Sequence, residues 1–177
     1  MQQPEIAVQE LERVIKLGFK GVVIPSNAPK GRRYSDEEYE PMWAMLEEAG
    51  LPVGFHVACW SHVPDWQKAM AARDPIVQYA GSPTLIHDTM VELMVRGVCA
   101  RHPKLKFVLA EFNAGWVAHW LDKVQQGWAR DYAKDPSHTK PVDVLDIWKR
   151  QFYATIEDDT AALSTREMIG EETLLWG

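Results

Sequence analysis

The chain has 177 residues, of which 46% are hydrophobic and 25% charged, with a formal charge of −6 at pH 7 and a pI near 5.5. That much apolar content can bury a substantial core. The acidic balance and scattered Lys and Arg exclude nucleic acid or an anionic membrane as main partner, since either favours a basic patch, and a small-molecule or protein partner fits better. No apolar stretch approaches the ~20 residues needed to span a bilayer. The N-terminus, MQQPEIAVQE, lacks the basic and apolar regions of a signal peptide, so the expected setting is the cytoplasm. Cys59 and Cys99 are the only cysteines, and both are expected to be reduced.

Residues 5–17 place Ala7, Leu11, Val14 and Ile15 at helical spacing, and Gly18 ends that helix before an apolar run, GVVIPSN (21–27), with the composition of a strand. Ser35 and Glu38 form a capping-box pattern ahead of a helix whose buried stripe is Tyr39, Met42, Trp43 and Leu46; Pro41 either bends this helix or marks its real start. After a second strand, PVGFHV (52–57), a long helix over 84–102 turns Ile86, Met90, Leu93 and Gly97 inward until His102-Pro103 stops it. A third strand, LKFVLAEFN (105–113), precedes a helix bearing Val117, Trp120, Leu121, Val124 and Trp128, then a loop-like stretch over 131–141. A fourth strand, FYATIEDD (152–159), leads through a short helix to Gly170, and a fifth run, TLLWG, closes the chain at Gly177.

The first four runs end abruptly in polar or ionisable residues, and the connections are long enough for right-handed parallel crossovers. The fold class is therefore α/β, with about five parallel strands alternating with helices. The carboxyl ends of such strands carry the chemistry, which singles out Ser26, Asn27, His56, Glu111, Asn113, Glu157 and Asp158. A closed eight-stranded barrel typically needs ~250 residues, and no Gly-rich phosphate loop is present. What remains is a small open sheet without a nucleotide, or part of a barrel.

His56, at the end of its strand, offers a neutral ring nitrogen for Zn²⁺ or a similar divalent ion; the alternative is a hydrogen-bonded core histidine. His62, in the following loop, is either a substrate contact or simply exposed. Glu111 follows a wholly apolar run, and burial there would suit it to general acid or base work, whereas a structural ion pair is the plainer reading. Trp60, Phe112 and Trp116 either wall a substrate or pack. Glu157, Asp158 and Asp159 have the character of a helix N-cap. His87, His119 and His138 have the sequence surroundings of helix-surface or loop residues.

The succession GFKGVVIPS, a Tyr/Trp-bearing helix ending EEAGLPVGFHV, a long helix closing ARHPKLKFVLAEFNAGW, then QFYATIEDD and ETLLWG resembles the amidohydrolase-related metal-dependent hydrolases. This group includes aminocarboxymuconate-semialdehyde decarboxylase and the resorcylate-type decarboxylases. The resemblance covers nearly the whole chain and implies a partial (β/α)8 TIM barrel: residues 1–177 as a single domain holding strands four to seven and the start of eight. It implies one divalent metal, zinc for preference, with His56 as a ligand and co-ligands missing from this chain. Members usually carry an HxH pair on the first strand, which this sequence lacks, and an acidic ligand with a following Pro-His after a segment like LLWG. Glu111 stands where many members have a catalytic histidine; with Asn113 it is implied in substrate positioning or proton transfer, and His62, Trp60, Phe112 and Trp116 in substrate contact. The implied reaction is hydrolysis of a small molecule or nonoxidative decarboxylation of an aromatic or unsaturated carboxylate, in a chain that can form homo-oligomers. The competing expectation is a noncatalytic β/α binding or assembly domain.

Overall fold

A computed structural model describes residues 3–62, 68 and 74–177. Five strands, β1 (Val22–Ile24), β2 (Val53–His56), β3 (Phe107–Ala110), β4 (Phe152–Ile156) and β5 (Leu174–Trp176), form one parallel sheet in the order β1-β2-β3-β4-β5. Spatial order equals chain order. An open doubly wound sheet reverses direction at a switch point; a sheet that never reverses, wound by right-handed crossovers, keeps its helices on one side, as in a barrel.

The helices are α1 (Pro4–Lys16), α2 (Glu40–Ala49), α3 (Pro75–Gly81), α4 (Thr84–Val95), α5 (Val98–Arg101), α6 (Val117–Asp131), α7 (Val144–Gln151) and α8 (Thr160–Ile169). Pro41 marks a start, because it occupies the first turn of α2, where a missing N–H leaves no bond unmade. The capping box does not form. The Ser35 backbone N–H donates instead to the Glu92 carboxylate at 2.6 Å, and Glu37–Tyr39 is a 3-10 turn. The helix expected over 84–102 is broken by Gly97, at φ 82, a left-handed conformation that cannot continue a right-handed helix. Two short helices, α3 and α7, escape a periodicity reading; Asp143 caps α7 by accepting from Leu145 N–H at 2.8 Å.

Strand burial alternates. Val53 and Phe55, Phe107 and Leu109, and Phe152, Ala154 and Ile156 are buried under the helices, while Gly54, His56, Val108, Ala110, Tyr153 and Thr155 occupy the half-buried other face. The buried side holds an aromatic row in which Phe107 lies 6.0 Å from Phe55, 6.0 Å from Trp43 and 5.0 Å from Phe152, and Trp148 stacks on Phe152 at 5.7 Å. Beneath the sheet, His102 is clamped between carboxylates, with Nε2 2.9 Å from Glu40 and Nδ1 3.3 Å from Glu47. β1 and β5 each pair on one side only among the described residues, and Val23 on β1 and Trp176 on β5 are 64% and 83% exposed. Among the described residues no helix is long and apolar enough to cross a membrane, and Cys59 and Cys99 are free thiols.

Candidate active site

The register that pairs His56 with Ala110 brings the ends of β2 and β3 side by side, so the next residue, Glu111, meets the imidazole. His56 Nε2 lies 3.3 Å from Glu111 Oε1. Because His56 projects from the face without helices, it is not a core histidine. The Ala58 N–H donates to its Nδ1 at 3.2 Å, which requires that nitrogen to be unprotonated; the ring proton of the neutral imidazole then sits on Nε2, facing Glu111.

Glu111 is not buried as its apolar strand suggests; its side chain is 50% exposed. The backbone explains this. Glu111 (φ 63) and Asn113 (φ 57) are the only non-glycine residues with positive φ among the described residues, and this left-handed turn swings the chain out of the sheet directly after Ala110. The conformation costs ~1–2 kcal/mol for a residue with a Cβ and less for Asn, so neighbours must impose it. Glu111 N–H donates to Thr155 Oγ1 at 2.9 Å, and Glu157 N–H donates to Asn113 Oδ1 at 3.4 Å. Glu111, Phe112, Asn113 and Glu157, with Val57, Tyr79, Ala80, Ser82 and Pro83, line a cleft of about 370 Å³. A larger cavity, about 440 Å³, lies between α1 and the β1 edge, where Glu10 is the only ionisable lining residue, so size does not locate the chemistry here.

The remaining sequence-derived candidates have other surroundings. Ser26 is buried, its Oγ 2.8 Å from the His56 carbonyl and 3.0 Å from that of Cys59, and thus braces the end of β2. Asn27 accepts from Ser61 N–H at 2.9 Å and donates to the His62 carbonyl at 2.8 Å. His62 lines a separate cleft of about 280 Å³ with Asn27, Arg32 and Asp88. Trp60 packs against the core. Phe112 is buried and reaches the 370 Å³ cleft from below, while Trp116 donates Nε1–H to the Phe112 carbonyl at 3.0 Å.

Three residues at or near the site escaped the sequence reading or exceed it. Thr155 had no local signal. His87, expected on a helix surface, lies 4.4 Å from the ring of Trp116 and 5.7 Å from that of Trp120, and burial holds its pKa below the usual value; the two tryptophans four apart on one helix were the available hint. Asp159 caps α8 as expected, accepting from Ala162 N–H at 3.0 Å, but also accepts from Ala114 and Gly115 N–H at 2.6 and 2.9 Å.

An imidazole nitrogen beside a carboxylate oxygen is donor chemistry that suits a divalent ion. Among the described residues no group of three His, Cys, Asp or Glu side chains could hold one.

A parallel sheet wound in one direction, with an imidazole and a carboxylate at its carboxyl edge, is the architecture of a TIM-barrel enzyme, here about half of one. The amidohydrolase family profile matches residues 1–177, and the chain belongs to that family. It is 25% identical over 175 residues to gamma-resorcylate decarboxylase from Polaromonas sp. (strain JS666 / ATCC BAA-500), a match covering 88% of this chain and 48% of that protein. Its fold is similar to that of an amidohydrolase from Mycobacterium avium subsp. paratuberculosis K-10, with a TM-score of 0.79 and 29% identity over 98% of this chain and 45% of that one. It also shares the fold of 5-carboxyvanillate decarboxylase from Novosphingobium aromaticivorans DSM 12444, complexed with manganese and 4-hydroxy-3-methoxy-5-nitrobenzoic acid, with a TM-score of 0.78 and 21% identity over 99% of this chain and 51% of that one. The chain spans about half the length of these relatives.

Proposed function

We propose that this chain supplies the His56–Glu111 part of a metal-dependent amidohydrolase-superfamily enzyme that removes CO2 nonoxidatively from an aromatic carboxylate. The observation that carries this reading is the left-handed turn at the end of β3, which holds Glu111 and Asn113 at the cleft and Glu111 3.3 Å from His56. Strain of that kind persists where the surroundings impose it and clusters at functional sites. The choice of decarboxylation over hydrolysis draws on the activities of gamma-resorcylate decarboxylase and 5-carboxyvanillate decarboxylase.

His56 Nε2 is the group of this chain that would hold the ion, with further ligands from outside its described residues, because a catalytic ion takes about three protein ligands. Zinc and manganese both accept an imidazole nitrogen; such an ion would supply Lewis-acid polarisation of a substrate oxygen. With an ion on Nε2 the ring proton of the neutral imidazole would sit on Nδ1, where the Ala58 N–H could no longer donate. Decarboxylation breaks the bond from the ring to the carboxylate carbon, releases CO2 and leaves the electron pair on the ring carbon, which must gain a proton. Glu111, lining the cleft, is placed to deliver it, and Asn113 to orient the substrate beside it. Phe112 forms the apolar floor of the cleft, with Trp116 bonded to the Phe112 carbonyl. A cytoplasmic setting agrees with the free thiols.

The test uses the full-length protein. His56→Ala should abolish binding of added Mn²⁺ or Zn²⁺ by elemental analysis, and Glu111→Gln should stop CO2 release while the far-UV spectrum stays unchanged. Full turnover in Glu111→Gln would reject the proposed proton donor.

A further inference from the structure

Asp159 serves two structures at once. Its Oδ1 accepts from Ala162 N–H at 3.0 Å and caps α8. Its Oδ2 accepts from the backbone N–H groups of Ala114, at 2.6 Å, and Gly115, at 2.9 Å, and such charge-assisted bonds are shorter and stronger than neutral ones. A helix cap needs only the first oxygen. The second holds the segment that follows Asn113.

The approach is close enough to demand glycine. A Cβ on residue 115 would fall 2.6 Å from Asp159 Oδ1 and 2.6 Å from Ala161 Cβ. The strained segment is thereby bonded at both ends to the next β/α unit: Thr155 on β4 accepts from Glu111 N–H, and Asp159 at the start of α8 accepts from Ala114 and Gly115. Between those anchors lie the two left-handed residues, with Glu157 N–H on Asn113 Oδ1.

We infer that Asp159 is a positioning residue that latches the β3 exit segment 111–116 and so aims Glu111 and Asn113 into the cleft. The latch rests on the reading of Glu111 as the site's carboxylate only for its effect on turnover; its effect on the segment stands by itself.

Asp159→Ser separates the two roles. Its hydroxyl can cap α8 but is a bond shorter than the carboxylate and cannot also span to Ala114 and Gly115. Hydrogen exchange followed by mass spectrometry should show residues 111–116 exchanging about tenfold faster in Asp159→Ser, with α8 protected as in the wild type. Asp159→Ala should loosen both. Gly115→Ala, whose Cβ meets the capping oxygen itself, should loosen both, as Asp159→Ala does. In the full-length enzyme, Asp159→Ser should lower kcat for an aromatic carboxylate by up to about 100-fold, the scale of a 1 Å misplacement, with KM little changed. Wild-type exchange over 111–116 in Asp159→Ser overturns the latch, even if Glu111→Gln is inactive. Faster exchange there, together with full turnover in Glu111→Gln, upholds the latch and rejects the catalytic reading of Glu111.

Discussion

Replacing Glu111 by Gly and, separately, by Ala distinguishes the strain at the end of β3 from the contacts of the carboxylate. Both substitutions remove the pair with His56, which is worth at most ~1 kcal/mol for side chains that are 36% and 50% exposed. Only Gly releases the left-handed penalty at φ 63, ~1–2 kcal/mol for a residue with a Cβ. Against that gain stands the greater freedom of Gly in the unfolded chain, ~0.4–1 kcal/mol. The difference leaves Glu111→Gly more stable than Glu111→Ala by about 0.5–1 kcal/mol, the reverse of the order at an unstrained position, where Ala is the more stable. Urea unfolding measures it: with a slope of ~2 kcal/mol/M the midpoints should differ by about 0.3–0.5 M at equal slope. An Ala variant as stable as the Gly variant would refute stored strain at this turn, and with it the main support for a site here.

Phe107→Ala should cost about 3–5 kcal/mol in denaturant unfolding, because Phe107 is fully buried and touches Phe55, Trp43 and Phe152; a cost under ~1 kcal/mol would mean that the row does not organise the sheet. Thr155→Val removes the acceptor for Glu111 N–H at nearly constant shape. It should cost about 1 kcal/mol, read as a fall of ~2–4 °C in thermal midpoint. His87 carries a pH signature. Burial lowers its folded pKa below the reference 6.5, so below pH 6.5 the unfolded chain binds the extra proton first and stability falls as pH drops, levelling off once the pH is under the folded pKa. His87→Leu should remove that part of the decline between pH 8 and 5, and an identical decline in wild type and variant would show that His87 takes up its proton equally in both states.

Glu111 gains its position from backbone geometry rather than from burial: its N–H is tied to β4 and the following amides to Asp159.

Much of the architecture was legible in the residues alone. Apolar runs announced all five strands, the polar ends of four of them announced the working edge, Pro41 announced a helix bend or start, and Asp159 announced a cap, because each of these is a local effect of backbone sterics and hydrogen bonding. The succession of motifs also carried the family. Periodicity could not say that His87 lies among tryptophans, that Gly97 breaks a helix, or that Glu111 turns out of the sheet. The His56–Glu111 contact depends on the register of β2 against β3, and the turn that exposes Glu111 is held by Thr155 and Asp159. Those partners lie 44 and 45 residues further along the chain from the amides they hold. Local pattern tells which side of an element is buried; which residues meet across elements is decided only when the whole sheet assembles and its long-range bonds outweigh local preference.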